Sequence, residues 1–136
     1  ISTAYSDKFN IDSLRSLNLA ESKYGVYKID YLDNSLFLGD GYSDKFFIAE
    51  SGSLKGVKLN GKYVTLELGI PKELNFKFEA DVKYPKFNIN EESMDVRRKI
   101  TEGSQLEMEA YRGAQSAGMP SFFINGYEMS VTLSEQ

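Results

Sequence analysis

The sequence predicts an all-β domain, mainly antiparallel, in the form of a sandwich or small barrel of about eight to ten strands with one or two short helices. Three observations predict it. Apolar residues recur with a period of two: in "LNFKFEADVKY", Leu74, Phe76, Phe78, Ala80, Val82 and Tyr84 alternate with Asn75, Lys77, Glu79, Asp81 and Lys83. That is the pattern of a strand with one buried and one wet face. Asn, Asp and Gly clusters punctuate the runs, as turns require. No long helical periodicity alternates with the strands, so a parallel α/β sheet is not expected.

Along the chain, "NIDSLRSLNLAES" (10–22) offers Asn10 as a cap with Leu14 and Leu17 behind it, so one short helix is expected there. "YGVYKIDYLDNSLFL" reads as a hairpin turning at Asp33-Asn34-Ser35, and Phe46–Glu50 as a short strand. Asn-Gly favours a type I′ turn. "VKLNGKYVTLEL" is therefore expected to turn at Asn60-Gly61, and "SFFINGYEMSVTL" at Asn125-Gly126 with Met129, Val131 and Leu133 inward. "NEESMDVRRKITEG" suggests a second helix, capped by Asn90 and ended by Gly103. The alternation of Leu106, Met108 and Ala110 then favours a strand over a helix continued through Ala114 and Ala117. Pro71 and Pro85 stand at strand boundaries, where a missing donor does no harm.

A chain of 136 residues, 41% hydrophobic and 26% charged, is the size and composition of one globular domain, and no linker interrupts residues 1–136. The formal charge of -4 argues against a nucleic-acid partner, and no apolar run is long enough for a membrane-spanning helix. The chain opens on Ile1, from which removal of a leader, anchor or upstream domain is expected, and a periplasmic, cell-surface or secreted location with it.

Histidine and cysteine are both absent. Ser-His-Asp and Cys-His catalysis, disulfides and ordinary zinc sites are thereby excluded, and no nucleotide-binding loop is present. Carboxylate pairs, as in glycoside hydrolysis, or a Ser-Lys dyad remain; Glu107 and Glu109 could share a strand face but read as solvated. Asp30, Asp33, Asn34, Asp40 and Asp44 cluster in sequence as calcium ligands can, yet without EF-hand spacing, and the same residues are ordinary turn formers. No metal and no cofactor is expected.

"GMPSFFINGY" (118–127) resembles the stretch around the cis-proline loop of thioredoxin-fold disulfide oxidoreductases. The resemblance implies Pro120 as the proline and Phe122–Ile124 as the strand after it. It spans about ten residues, and no C-x-x-C accompanies it, so it is a local likeness and not membership.

One pentapeptide occurs twice. "YSDKF" stands at 5–9 and 42–46, each copy followed by an Ile two residues past the Phe. The match fades downstream, which argues against a duplicated unit. Each copy reads as a strand entrance: a turn at Ser-Asp, then Phe9 and Ile11, or Phe46 and Ile48, facing the core. Tyr5, Asp7, Asp40, Tyr42 and Asp44 are left as exposed candidates for binding. The expected function is a non-enzymatic binding domain of a bacterial envelope or secreted protein, holding a protein partner through loops or an edge strand. A lipid or small apolar-ligand carrier is the alternative, and a carboxylate-dependent hydrolase a third.

Overall fold

The computed structural model describes residues 3–5 and 7–135, residues 3–5 by their backbone alone. Among the described residues the fold is nearly all β: thirteen strands form one curled mixed sheet, with a single 3₁₀ turn at Glu91–Ser93. In chain order they are β1 (Thr3–Tyr5), β2 (Lys8–Leu19), β3 (Glu21–Lys23), β4 (Val26–Tyr42), β5 (Lys45–Ser51), β6 (Gly56–Lys62) and β7 (Thr65–Ile70). Then follow β8 (Phe76–Lys83), β9 (Lys86–Asn88), β10 (Asp95–Glu102), β11 (Gln105–Arg112), β12 (Ser121–Tyr127) and β13 (Ser130–Glu135).

The sheet is not mainly antiparallel. Among the described residues only β8, β11 and β10 pair antiparallel; the other ladders are parallel, with the register shifting once in the β2–β4 ladder and once in the β4–β6 ladder. The chain winds. Lys8 pairs with Val26, Val26 with Lys45 and Lys45 with Thr65, so each coil returns to lie beside its own start after 18, 19 and 20 residues. Such a coil carries the alternating pattern of an antiparallel strand, because its inner face is buried and its outer face wet. Period two therefore announces the strands and is silent about their direction.

Inward residues stack in columns across the coils. One column runs Phe9, Tyr27, Phe46, Leu66, Val131 and Phe87; another runs Leu19, Leu38, Leu59, Ile124, Ala80 and Met108. The Phe9, Tyr27 and Phe46 rings lie nearly flat on one another, with centroids 5.1 and 4.7 Å apart. Phe9 and Phe46, the ends of the two YSDKF copies, thus hold equivalent positions two coils apart. The pentapeptide marks a recurring corner of the winding.

The C-terminal strands enter out of sequence. β8 lands one strand position beyond β6, and β9 one beyond β7; β12 and β13 fill the two gaps, each pairing on both sides.

Several local expectations change. The segment expected as a first helix is β2, whose Leu17 and Leu19 continue the core columns. The second expected helix shortens to the 3₁₀ turn and then becomes β10, while Gln105–Arg112 is the strand anticipated. Asp33-Asn34-Ser35 lies within β4, Asn60-Gly61 within β6 and Asn125-Gly126 within β12, so none of the three is a hairpin turn. The glycines serve close approach instead. Gly41 pairs with Gly61 and Gly61 with Gly126, and a Cβ on Gly61 would run into the backbone of Gly41.

Candidate functional site

The turn that sends each coil into the next is built the same way five times. At each one residue takes the left-handed conformation: Tyr24 (φ 55°), Ser43 (52°), Tyr63 (58°), Glu128 (49°) and Tyr84 (57°). Each of the five donates its N–H to a carbonyl on a neighbouring strand end: to Tyr42, Lys62, Tyr127, Lys83 and Ser104 respectively, at 2.7–2.9 Å. The strand-pairing ladder therefore continues round the corner.

Every one of these turns carries a tyrosine. Three are the left-handed residue itself (Tyr24, Tyr63, Tyr84), and two stand just before it (Tyr42, Tyr127). In space the order is Tyr24, Tyr42, Tyr63, Tyr127, Tyr84, so the two kinds alternate. Successive centroids are 5.5, 5.6, 5.7 and 5.5 Å apart, with neighbouring rings 78–83° from parallel. That edge-to-face contact suits the ring quadrupoles. The result is a row of five phenols, about 19 Å long at the ~4.8 Å spacing of adjacent strands. It faces outward: Tyr24, Tyr42, Tyr63 and Tyr84 are 55, 37, 41 and 47% exposed. Tyr127, half-buried between Tyr63 and Tyr84, has its phenol raised above the ordinary tyrosine range, first by that burial and then by Tyr63, Glu128 and Tyr84.

Lysines interleave the row. Where Tyr is the left-handed residue the preceding residue is Lys (Lys23, Lys62, Lys83); where it is not, the preceding residue is Gly41 or Gly126. Strand register sets Lys23 opposite Tyr42, Tyr42 opposite Lys62, Lys62 opposite Tyr127, and Tyr127 opposite Lys83. Tyrosine and lysine alternate strand by strand along one outward line. Lys83 Nζ also sits 5.8 Å from the Tyr84 ring centroid, within cation–π reach. Beyond the turn Lys8, Lys45 and Lys86 are exposed at the strand starts, and a groove of about 270 Å³ lies beside Lys8, Lys28, Lys45 and Phe47.

Beneath the row is a buried polar knot. Asp44 has no exposure, and its carboxylate accepts hydrogen bonds from Ser22 Oγ (2.6 Å), Gly25 N–H (2.8 Å) and Tyr42 N–H (2.9 Å). Ser22 Oγ is also 2.8 Å from the buried Tyr27 hydroxyl, whose pKa is raised by burial. The knot ties the corners of successive coils together.

Of the binding candidates read from the sequence, Tyr42 stands in the row. Asp40 is exposed two residues before it, and Asp7 is exposed with its carbonyl accepting Val26 N–H. Tyr5 occupies the register position opposite Lys23, and its side chain lies outside the described residues. Asp44 is held inside by its three donors, so an exposed role is corrected to a structural one. Tyr24, Tyr63, Tyr84 and Tyr127 were missed, although Lys-Tyr at 23–24, 62–63 and 83–84 and Gly-Tyr at 41–42 and 126–127 were visible in the sequence.

The acidic residues do not gather. Asp30, Asp33 and Asp40 are spread along the exposed side of β4 while Asp44 is inside, and among the described residues no group of three acids is placed to hold a metal ion. Glu107 lies 3.8 Å from Arg98, and Glu109 accepts from the Tyr111 hydroxyl. No helix among the described residues is long and apolar enough to cross a membrane. No family model, curated protein or solved structure matches the chain.

Proposed function

We propose that the domain is a non-enzymatic binding module of an envelope or secreted protein, and that it recognises a protein partner through the tyrosine row. The observation that carries this reading is the choice of residue at the turns. Left-handed backbone costs a side-chain-bearing residue roughly 1–2 kcal/mol, a cost Gly avoids and Asn reduces. Tyr stands there at three corners, and what it adds is exposed aromatic area. Backbone outliers that persist are a pointer to function. Tyrosine gives large contact area at small entropic cost, which suits a recognition surface.

The carrier alternative draws less support. The aromatics that would line its cavity are core: Tyr27, Phe46, Phe76, Phe78 and Phe122 are among the largest fully buried side chains.

The test is capture of a specific protein from an extract of the source organism's envelope. Wild type is compared with Tyr42→Ser/Tyr63→Ser and with a control, Asp30→Ser/Glu50→Ser, altered on an exposed face elsewhere. A partner held by wild type and control but lost by the tyrosine pair supports the reading. Equal capture by all three proteins rejects it.

A further inference from the structure

We propose that the row is a site of oxidative cross-linking, at which a peroxide-driven one-electron oxidant, a ferryl haem, joins neighbouring phenols as dityrosine. The inference needs the row alone and does not depend on a protein partner. Composition directs the oxidation there. With no Cys and no Trp in the chain, tyrosine is the side chain that most readily gives up a single electron. Of the nine tyrosines, Tyr24, Tyr42, Tyr63, Tyr127 and Tyr84 each touch at least one other, at centroid separations of 5.5–5.7 Å. Among the described residues no other tyrosine ring contacts a second one. Tyr27 is buried between Phe9 and Phe46, Tyr31 stands exposed on β4, and the Tyr111 hydroxyl is bonded to Glu109.

The backbone brings these phenols together. Tyr24 N–H donates to the Tyr42 carbonyl (2.8 Å) and Tyr63 N–H to the Tyr127 carbonyl (2.9 Å). The other two pairs are tied one residue away, by Ser43 N–H to the Lys62 carbonyl (2.9 Å) and Glu128 N–H to the Lys83 carbonyl (2.7 Å). Partners therefore sit one strand apart. Edge-to-face packing sets the ring edge, which carries the carbons ortho to the hydroxyl, against its neighbour. Exposed side chains rotate within nanoseconds, so swings of the exposed rings bring two ortho carbons together. In the reaction each phenol gives up one electron and its hydroxyl proton. The two phenoxyl radicals join ortho carbon to ortho carbon. Each joined carbon then loses its hydrogen as a proton while each oxygen regains one, which restores both aromatic rings. One hydrogen peroxide, reduced to two waters, takes up the two electrons and two protons removed. The product staples successive coils in a chain that has no cysteine for disulfides.

The experiment treats the whole chain with a haem peroxidase and limiting hydrogen peroxide. Dityrosine fluorescence gives the yield, and mass spectrometry of proteolytic peptides maps the links. Tethered groups meet at an effective ~1 mM or more, so at about 1 μM protein, coupling within a chain should exceed coupling between chains on the order of a thousandfold. The expected product is monomeric, with links joining Tyr24 to Tyr42, Tyr42 to Tyr63, Tyr63 to Tyr127 or Tyr127 to Tyr84. Tyr42→Phe/Tyr127→Phe breaks all four pairs while keeping the rings, and should lower the yield about tenfold or more, because the remaining phenols couple only by collision. Tyr31→Phe/Tyr111→Phe removes two phenols outside the row and should leave the yield unchanged. Links that involve Tyr31 or Tyr111 as often as the row, or dityrosine found only in covalent dimers, would overturn the inference. So would equal yield from Tyr42→Phe/Tyr127→Phe, or peroxide consumed with no dityrosine formed. The link map of the wild type decides the matter even where a variant fails to fold.

Discussion

Ser22 donates a 2.6 Å hydrogen bond to Asp44 across a coil boundary, and both side chains have no exposure to solvent. Asp44 therefore belongs to the fold, although its counterpart in the other YSDKF, Asp7, is exposed. The two copies make a matched comparison. Asp44→Ala strands the N–H groups of Gly25 and Tyr42 and leaves the Ser22 hydroxyl only its contact with Tyr27, and each buried unsatisfied group costs about 1–3 kcal/mol. A loss of at least 3 kcal/mol is expected for Asp44→Ala in urea unfolding, against about 0.5 kcal/mol or less for Asp7→Ala. Similar losses for both would show that the knot is not what holds the corner.

The glycine column gives a second prediction. Gly61→Ala puts a methyl group against the Gly41 backbone, which cannot step aside without breaking the ladder between β4 and β6. Overpacking of this kind costs about 1–3 kcal/mol, occasionally more. Gly103→Ala is the control: a Cβ there meets nothing, and only its left-handed backbone (φ 58°) is strained. Thermal unfolding should place Gly61→Ala well below Gly103→Ala, and the reverse order would refute the close-approach argument.

At the tyrosine row two effects of similar size compete, and position decides between them. Tyr63 contacts two neighbouring rings, Tyr24 one in the row. Each aromatic pair contributes about 0.5–1.5 kcal/mol, against roughly 1–2 kcal/mol for the left-handed backbone. Tyr24→Asn should therefore leave stability unchanged or raised by up to about 1 kcal/mol, while Tyr63→Asn lowers it by about 1 kcal/mol. Chemical denaturation of the two variants measures this directly. A large loss at Tyr24 would mean that the end of the row is held by more than its ring contact.

How much of this was legible in the sequence depends on what alternation can carry. Phe76, Phe78, Ala80 and Val82 were read as an inward face and are one, as are Phe46 and Ile48. Strand direction was not legible, because an inner-and-outer coil and a one-sided hairpin write the same period of two. Asn60-Gly61 and Asn125-Gly126 misled for a specific reason: Gly supplies both positive φ and close approach, and here the second use applied. The turns themselves hid behind tyrosine, a residue no turn signature includes. Their recurrence was detectable only as Tyr at 24, 42, 63 and 84, and the fifth, Tyr127, falls out of sequence because β12 enters late.

Alkaline pH should weaken the fold through Tyr27. Burial raises its pKa above the ordinary value of 10.0, and its hydroxyl shares the knot with Ser22. The native state thus keeps a proton that the unfolded chain releases, so the stability tied to Tyr27 is complete below the unfolded pKa and falls as pH rises beyond it. Urea midpoints are expected to hold steady up to about pH 9.5 and to decline from about pH 10 upward. Tyr27→Phe removes the titrating group and should make that decline shallower. An unchanged slope would assign the alkaline loss to other tyrosines or to lysines.

Arg112 pins the crossing that leaves room for the late strands. From β7 the chain must skip one strand position before starting β8, and it does so through residues 71–75. Arg112 Nε donates to the Leu74 carbonyl (2.8 Å), its Nη2 to the Pro71 carbonyl (2.6 Å) and its Nη1 to Glu135 (3.2 Å), with the guanidinium 5.0 Å from the Phe76 ring centroid. One nearly buried side chain so joins β11, the crossing and the end of β13. Hydrogen bonds to a charged group contribute about 1.5–3 kcal/mol each, and a buried arginine that loses its partners' geometry is not replaced by lysine. Arg112→Met and Arg112→Lys should therefore both cost about 3 kcal/mol, whereas Glu135→Gln, which removes only the more exposed partner, should cost about 1 kcal/mol or less. Hydrogen exchange on the Arg112 variants should speed first at β12 and β13, the strands whose gaps the crossing sets. Uniform acceleration across all the coils would show that Arg112 supports the fold as a whole and not the slot for the late strands.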